Sequence, residues 1–583
     1  MTLTEATPVD LKLAPAQNGA EALVQLMVAQ GVEYIFLNPG TDTAPLQEAL
    51  VALRAAGQRV PEVVPCLYEN VALAAAHGYW AVTRRPQVVV VHVDVGTQNL
   101  GGNLHDTQRG QAGVVILAGR APYTVEGDTP GGRDRSIQWQ QDQLDQIGIV
   151  RNYVKWAHEL GRTDTLYQLV PRAFQLAASE PAGPVYMTVA REVLMAPMDG
   201  VSLGPARRSR PLVTPAGDPE SIAEIARWLA DAESPLAIVG ATGRRPRSVA
   251  ELVALAELLG MPVLDMGGAM NFPSAHPLSL GDEADRALAA ADVVLLLDVD
   301  VPWIPRISRP NPDARIAQLD IDPLKATIPL WGFPVDLPVQ ADTAKALPLL
   351  RAALEAQAPP ELRRRWQARR ATIAAERAER DQRVAENLRG ARSQRPIAVD
   401  WLAAAVAQAV PADALVLEEA VTNAGAVRRH VRRGEPGTLL SSGAPGLGWA
   451  LGAAVGAKLA APERQVVTLC GDGSFVFGSP VAALWAAQQA GAPFLAVVLN
   501  NAGYQASKFP VLSLFPGGAS ATNDAFPGVR FPTPPDYAAL ARSCHAYGER
   551  VEDPDELPAA LERGLAALRD GRAAVLDVIL API

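Results

Sequence analysis

The stretch Gln465-Val466-Val467-Thr468-Leu469-Cys470-Gly471-Asp472-Gly473-Ser474 decides the fold. Gln465 to Leu469 is a short apolar run of the kind that forms a strand buried on both faces, and it ends in a glycine turn carrying one carboxylate. Such a turn lets backbone N–H groups approach a diphosphate, and Asp472 offers a hard oxygen ligand to Mg²⁺ or Ca²⁺. A second apolar run, Phe494 to Leu499, ends at Asn500-Asn501, and 26 residues (474–499) separate the two motifs. The amide oxygen of Asn501 and the carbonyl of Gly503 can complete the protein's share of an octahedral site. Taken singly, G-D-G and N-N are also ordinary turn sequences.

Outward from this stretch, short Val/Ile/Leu runs alternate with Ala- and Leu-rich helical segments along the whole chain. Val32 to Leu37, Gln87 to Val93, Gly113 to Leu117, Leu236 to Val239, Asp292 to Leu297 and Arg315 to Leu319 read as further strands. This rhythm predicts α/β architecture with doubly wound parallel sheets. Two segments break it. Ala196 to Pro219, with five prolines and three arginines, reads as a linker. Ala356 to Pro396, rich in Arg, Glu and Ala, can form an exposed helix but not a core. Three domains of similar size follow: 1–195, 215–350 and 395–583, with a charged linker at 351–394 before the last.

The 583 residues include 52 Lys plus Arg against 62 Asp plus Glu, a net charge of −10. That balance argues against nucleic acid and against a polybasic membrane patch, and points to a small-molecule partner. Apolar runs such as Val88 to Val91 are far shorter than the roughly 18 residues of a membrane span. Cys66, Cys470 and Cys544 are odd in number and far apart, which suggests neither disulfides nor a thiolate zinc site. Met1 to Gln17 has no basic region followed by an apolar one. The expected compartment is the reducing cytoplasm.

Three N-terminal segments carry chemistry. In Pro65-Cys66-Leu67-Tyr68-Glu69-Asn70-Val71-Ala72-Leu73, Glu69 is the single acid opening an otherwise apolar helix, a place where an acid also simply favours the helix dipole. Asn38-Pro39-Gly40-Thr41 follows the first strand, and His92-Val93-Asp94-Val95-Gly96-Thr97-Gln98-Asn99 ends the next. A histidine at a strand end is a candidate proton carrier, although many such imidazoles only satisfy hydrogen bonds. His77 and His105 read as structural. Gln138-Trp139-Gln140-Gln141 is a polar helix start.

In combination, Gly471-Asp472-Gly473-Ser474 and Asn500-Asn501 resemble the signature of thiamine diphosphate (ThDP) enzymes, and the group most similar is that of acetolactate synthase, benzoylformate decarboxylase and benzaldehyde lyase. The resemblance covers nearly the whole chain, and it implies a pyrimidine-binding, a central and a diphosphate-binding domain. It further implies that Asp472, Asn501 and the Gly503 carbonyl hold Mg²⁺ and that Gly471, Gly473, Ser474, Thr422 and Asn423 lie against the diphosphate. By the same token Leu447, 25 positions before Asp472, supports the bent cofactor, and Glu69 hydrogen-bonds N1′ of its pyrimidine. An Asx or Ser/Thr turn explains Thr422 and Asn423 equally well.

By position in benzoylformate decarboxylase, Thr41 takes the place of a carboxylate-binding Ser and His92 that of a proton-shuttling His. That enzyme's second active-site histidine falls, on the best-matching stretch, at Pro302 and Trp303. Gln141, with Gln140 one place away, takes the position of an active-site glutamine in synthases and benzaldehyde lyase. FAD is a cofactor of some relatives, but their M-G-M-H-G-T segment is replaced by Asp282-Glu283-Ala284-Asp285 and their R-F-D-D-R run is missing, so FAD is not favoured. Gly240-Ala241-Thr242-Gly243-Arg244-Arg245 could hold a phosphate or be only a turn.

The implied activity is cleavage or formation of a C–C bond next to a carbonyl, by a 2-oxo acid decarboxylase, an acyloin-forming carboligase, or both. An acetolactate synthase-like transferase, a diketone or acyloin hydrolase or lyase, a flavin-dependent pyruvate oxidase-like enzyme and a non-catalytic subunit of the same fold are the rivals. The implied assembly is at least a homodimer and, by family habit, a homotetramer.

Overall fold

The computed structural model describes residues 12–281 and 284–583. Of the segments read above, the first eleven residues and the Asp282-Glu283 pair of the flavin argument lie outside the described residues. The chain divides into two compact units. One is drawn from the chain up to Leu212 together with Ala444–Pro462 and Phe477–Pro493. The other comprises Val213–Gly443, Glu463–Val476 and Phe494–Ile583.

The first unit holds β1 (Lys12–Ala14), β2 (Tyr34–Leu37), β3 (Glu62–Pro65), β4 (Val88–Val91), β5 (Val115–Arg120), β6 (Trp156–Leu160), β7 (Val185–Ala190) and β8 (Val201–Leu203). Six of these form one parallel sheet in the order β3-β2-β4-β5-β7-β6. Val88 to Val91 are all buried, as a strand covered on both faces requires. The order reverses between β2 and β4, and the crevice beyond the carboxyl ends of such neighbours is where open α/β sheets receive ligands.

In the same unit the helix Glu69–Thr83 packs against the helix Ala450–Ala460. The approach is close enough that a Cβ at Gly78 would strike the Ala453 carbonyl and one at Gly456 the Ala75 carbonyl.

The second unit holds two sheets. β9 (Pro235–Val239), β10 (Val263–Asp265), β11 (Val293–Leu297), β12 (Arg315–Asp320) and β13 (Leu337–Gln340) form a parallel sheet ordered β10-β9-β11-β12-β13. β14 (Leu415–Glu419), β15 (Leu439–Leu440), β16 (Val466–Gly471), β17 (Leu495–Asn500), β18 (Tyr547–Val551) and β19 (Ala574–Ile579) form another, ordered β15-β14-β16-β17-β19-β18. Here the reversal lies between β14 and β16. Three parallel-sheet α/β domains result, and every strand named from the sequence is a strand.

Two segments differ from expectation. The stretch after Ala196 is not wholly linker, because Val201–Leu203 pairs antiparallel with Lys12–Ala14. Its prolines fall outside those three residues, so the ladder loses no donor. The charged segment forms a helix, Pro360–Ala391, that is mostly exposed, yet its Trp366 is fully buried in the core built on β9, β11 and β12. Arg369 fixes that docking by donating to the carbonyls of Gly260 (3.1 Å) and Ala232 (2.9 Å). Among the described residues no helix is long and apolar enough to cross a membrane.

Candidate active site

In the first unit, β2 runs into Asn38-Pro39-Gly40-Thr41 and β4 into His92, so the sheet order brings these two loops side by side at its switch point. Thr41, Asp42, His92, Arg120, Gln138 and Gln141 line one narrow cleft there. The Thr41 side chain is exposed, and His92 is half-buried. The imidazole is held from both sides. Nδ1 contacts the carboxylate of Asp42, and Nε2 lies 2.9 Å from Gln141 Oε1, while Gln140 is exposed. Burial opposes a charged ring, but the Asp42 hydrogen bond and charge, with Gln141 and Asp94, outweigh it and raise the His92 pKa above the ordinary value.

Glu69 opens its helix behind Tyr68, whose backbone is extended and whose side chain makes no capping bond. The acid is 4% exposed and accepts from Asn99 Nδ2 at 3.1 Å. A Cβ at Gly96 would come within 3.0 Å of its Oε1, so the small residue gives the carboxylate room. His77 is buried against Trp449, and burial drives its pKa down to about 3, which suits a structural imidazole.

Leu447 is half-buried in the turn before the helix Ala450–Ala460. Asp106 Oδ1 accepts from Gly446 N at 3.0 Å, and Asn103 Nδ2 donates to Gly448 O at 3.3 Å. Asn103 N also donates to the side chain of Asn70, the neighbour of Glu69.

In the second unit Asp472 follows β16 and begins a helix, Thr422 and Asn423 follow β14, and Asn501 follows β17. Asp472 is 1% exposed, with Gly473 N and Gly503 N donating to its two oxygens at 2.9 and 3.0 Å. Burial nevertheless outweighs these backbone hydrogen bonds and pushes its pKa up to about 6.

One end of the Asn501 amide lies 3.2 Å from Gln505 Oε1, and the other faces Asp472 Oδ1 at 3.3 Å and Gly503 O at 2.9 Å. Hydrogen bonding alone turns the amide nitrogen toward Asp472 and Gly503. A bound divalent cation would turn the oxygen there instead, so that three oxygens from three residues meet it. Among the described residues no group of three or more His, Cys, Asp or Glu could hold a metal. Thr422 Oγ1 also donates to Gln505 Oε1, at 3.3 Å. Val421 (φ 50°) and Ala502 (φ 56°) sit in the left-handed region beside these groups, a strain that clusters at ligand sites. Ser474 is buried, and a Cβ at Gly473 would strike the ring of Tyr504.

The glycine turn after β9 is engaged internally: Gly243 N donates to Asn271 Oδ1 at 2.8 Å, and Arg244 pairs with Asp298 at 2.8 Å. Pro302 is buried, and Trp303 is buried against Phe333.

Residues 17–149, 222–350 and 420–578 match, in that order, the N-terminal TPP binding domain, the central domain and the C-terminal TPP binding domain of thiamine pyrophosphate enzymes. The chain belongs to the thiamine diphosphate-dependent enzymes. It is 26% identical to a benzoylformate decarboxylase of Pseudomonas aeruginosa over 94% of this chain and 96% of that one. It is likewise 26% identical to an acetolactate synthase of Bacillus subtilis, over 97% and 94%. Among solved structures, the 4-hydroxybenzoylformate decarboxylase of Rhodococcus jostii RHA1 superposes with a TM-score of 0.76 over 97% of this chain and 99% of that one, at 22% identity.

Sequence reasoning on this ThDP enzyme missed Asp42, Asn103, Asp106 and Gln505. Only Asp42 had a local signal, since it adjoins Thr41 on the loop already singled out.

Proposed function

We propose that this ThDP enzyme breaks or forms the C–C bond beside the carbonyl of a 2-oxo acid, as a decarboxylase, an acyloin-forming carboligase, or both. The observation that carries the reading is the cleft at the first sheet's switch point, where Thr41, His92 and Gln141 converge. When bound, ThDP supplies the electron sink for the bond that breaks. Asp472, Asn501 and the Gly503 carbonyl hold Mg²⁺, which neutralises diphosphate charge beside a buried carboxylate. Thr422, Asn423, Gly471, Gly473 and Ser474 face the phosphates. Leu447 gives apolar support, and Glu69 holds a proton at N1′ of the pyrimidine.

Thr41 donates its hydroxyl to the substrate carboxylate. His92 delivers a proton to the carbon left after the bond breaks, and Gln141 orients its ring. Acyloin formation, the acetolactate synthase-like side of the reading, is favoured by Pro302 and Trp303. That stretch contributes no imidazole, so the proton is delivered by one group and an aldehyde acceptor can compete with it.

The reading divides the chain at 1–195, 215–350 and 395–583. It takes the smallest active unit as a homodimer in which Glu69 of one chain serves the Asp472 of another, two dimers making a tetramer. Three cysteines without disulfides fit a reducing, cytoplasmic setting. The test is a panel of 2-oxo acids with added ThDP and Mg²⁺, measuring CO₂ and organic products together. CO₂ release with aldehyde or acyloin from at least one donor is expected; no turnover of any member overturns the reading.

A further inference from the structure

An acid placed just before a helix ordinarily turns back to cap it. Asp42 does not. The helix Ala44–Ala55 has Thr43 at its N-cap and no side-chain capping bond. The Asp42 carboxylate instead faces the other loop of the switch point, with one oxygen on His92 Nδ1 and the other accepting from Val93 N at 3.4 Å.

Two glycines make that orientation available. A Cβ at Gly119 would fall on the Asp42 carboxylate, and a Cβ at Gly40 would fall on the His92 ring at Nδ1. The Asp42 side chain is 4% exposed, and a carboxylate so deeply buried needs a charged partner. Other charged groups surround the pair. Asp94 comes from the helix His92 precedes, Arg120 from β5, and Arg191 from the segment after β7. Arg120 lies 3.3 Å from Glu159 and Arg191 3.0 Å from Asp134, so each has a carboxylate of its own. His92 is the cation that touches Asp42.

We propose that Asp42 is the positioning residue of His92, fixing Nδ1–H on its carboxylate so that Nε2–H points toward Gln141 and the cleft as the proton the reaction takes up. The inference rests on the proposed role of His92. The imidazolium gives its Nε2 proton to the substrate carbon, whose electron pair forms the new C–H bond. A neutral imidazole remains, its Nδ1–H still bonded to Asp42, and solvent returns the lost proton. Without the carboxylate either tautomer is open to the neutral ring, and the imidazolium loses the charge that offsets its burial.

The sign of the pH effect follows. A proton donor is lost as pH rises through its pKa, and removing a partner that raises that pKa moves the loss to lower pH. The test uses the full-length protein with ThDP and Mg²⁺, its seven histidines ¹³C/¹⁵N-labelled and the His92 signal assigned through His92→Gln. Asp42→Asn should lower the His92 pKa and move the alkaline limb of kcat to lower pH with it. Asp42→Glu, which keeps the charge, should restore most of both, and it carries the test alone if Asp42→Asn does not fold. An unmoved His92 titration in folded Asp42→Asn, with a defective His92→Gln, overturns the role of Asp42 alone. Full turnover by His92→Gln overturns the role of His92 and this proposal with it.

Discussion

Asp106 Oδ1 accepts the backbone N–H of Gly446 at 3.0 Å across 340 positions of sequence. One helical turn earlier Asn103 takes the carbonyl of Gly448, so the residues on either side of Leu447 are pinned to a single helix. The same Asn103 reaches Asn70 beside Glu69, which links the turn that carries Leu447 to the helix that begins at the acid.

Burial raises the Asp106 carboxyl to about 7, with Gly446 N pulling the other way. A carboxyl raised on folding stabilises most when protonated, so its contribution is complete below about pH 4 and is lost as pH rises toward 7 and above. Asp106→Asn keeps an acceptor for Gly446 N but cannot ionise. At pH 8 the variant should melt roughly 2–6 °C above the parent, and at pH 5 the gap should narrow. A gap that does not change with pH would refute the assignment.

On the proposed Mg²⁺ site, Asp472→Asn and Asn501→Ala each remove an oxygen ligand or its charge from a hard cation. Titration of ThDP at fixed Mg²⁺ should show at least about tenfold weaker retention in both, corresponding to roughly 1.4 kcal/mol. Retention equal to the parent's in either variant would exclude that residue from the metal's ligands.

Glu69→Gln should leave the fold and much of the cofactor binding intact, because the amide still accepts from Asn99. On the proposed role of Glu69, it loses the charge that holds a proton at N1′, so exchange of the C2 proton of bound ThDP, followed by NMR after acid quench, should slow. Exchange at the parent rate would remove Glu69 from its role.

His92→Ala should lower turnover by roughly 10²–10⁴-fold, the usual contribution of a positioned acid–base group. Thr41→Ala should act mainly on substrate binding, by about 1.5–3 kcal/mol for a hydroxyl donating to a carboxylate. With a 2-oxo acid donor and excess aldehyde the parent should give acyloin beside simple aldehyde. Aldehyde alone, formed at a rate indifferent to His92, would contradict both the proton carrier and the ligase activity.

The strands, the parallel α/β class and the residues that stand at strand ends, Asp472, Asn501 and His92, are legible in the chain alone. These are local facts, because a short β-branched run closed by a glycine turn can be read within ten residues. Tertiary structure alone decided which acid meets His92, which helix pins the turn at Leu447, and that Trp366 of a charged helix enters a core. Asp42 and His92 lie 50 positions apart, and they touch because β2 pairs with β4 at the point where the strand order reverses. The glycines that admit their side chains, Gly40 after β2 and Gly119 within β5, carry no mark of that role in the chain itself. The distances between elements that make those glycines necessary arise only when the sheet, its register and the helices above it are assembled.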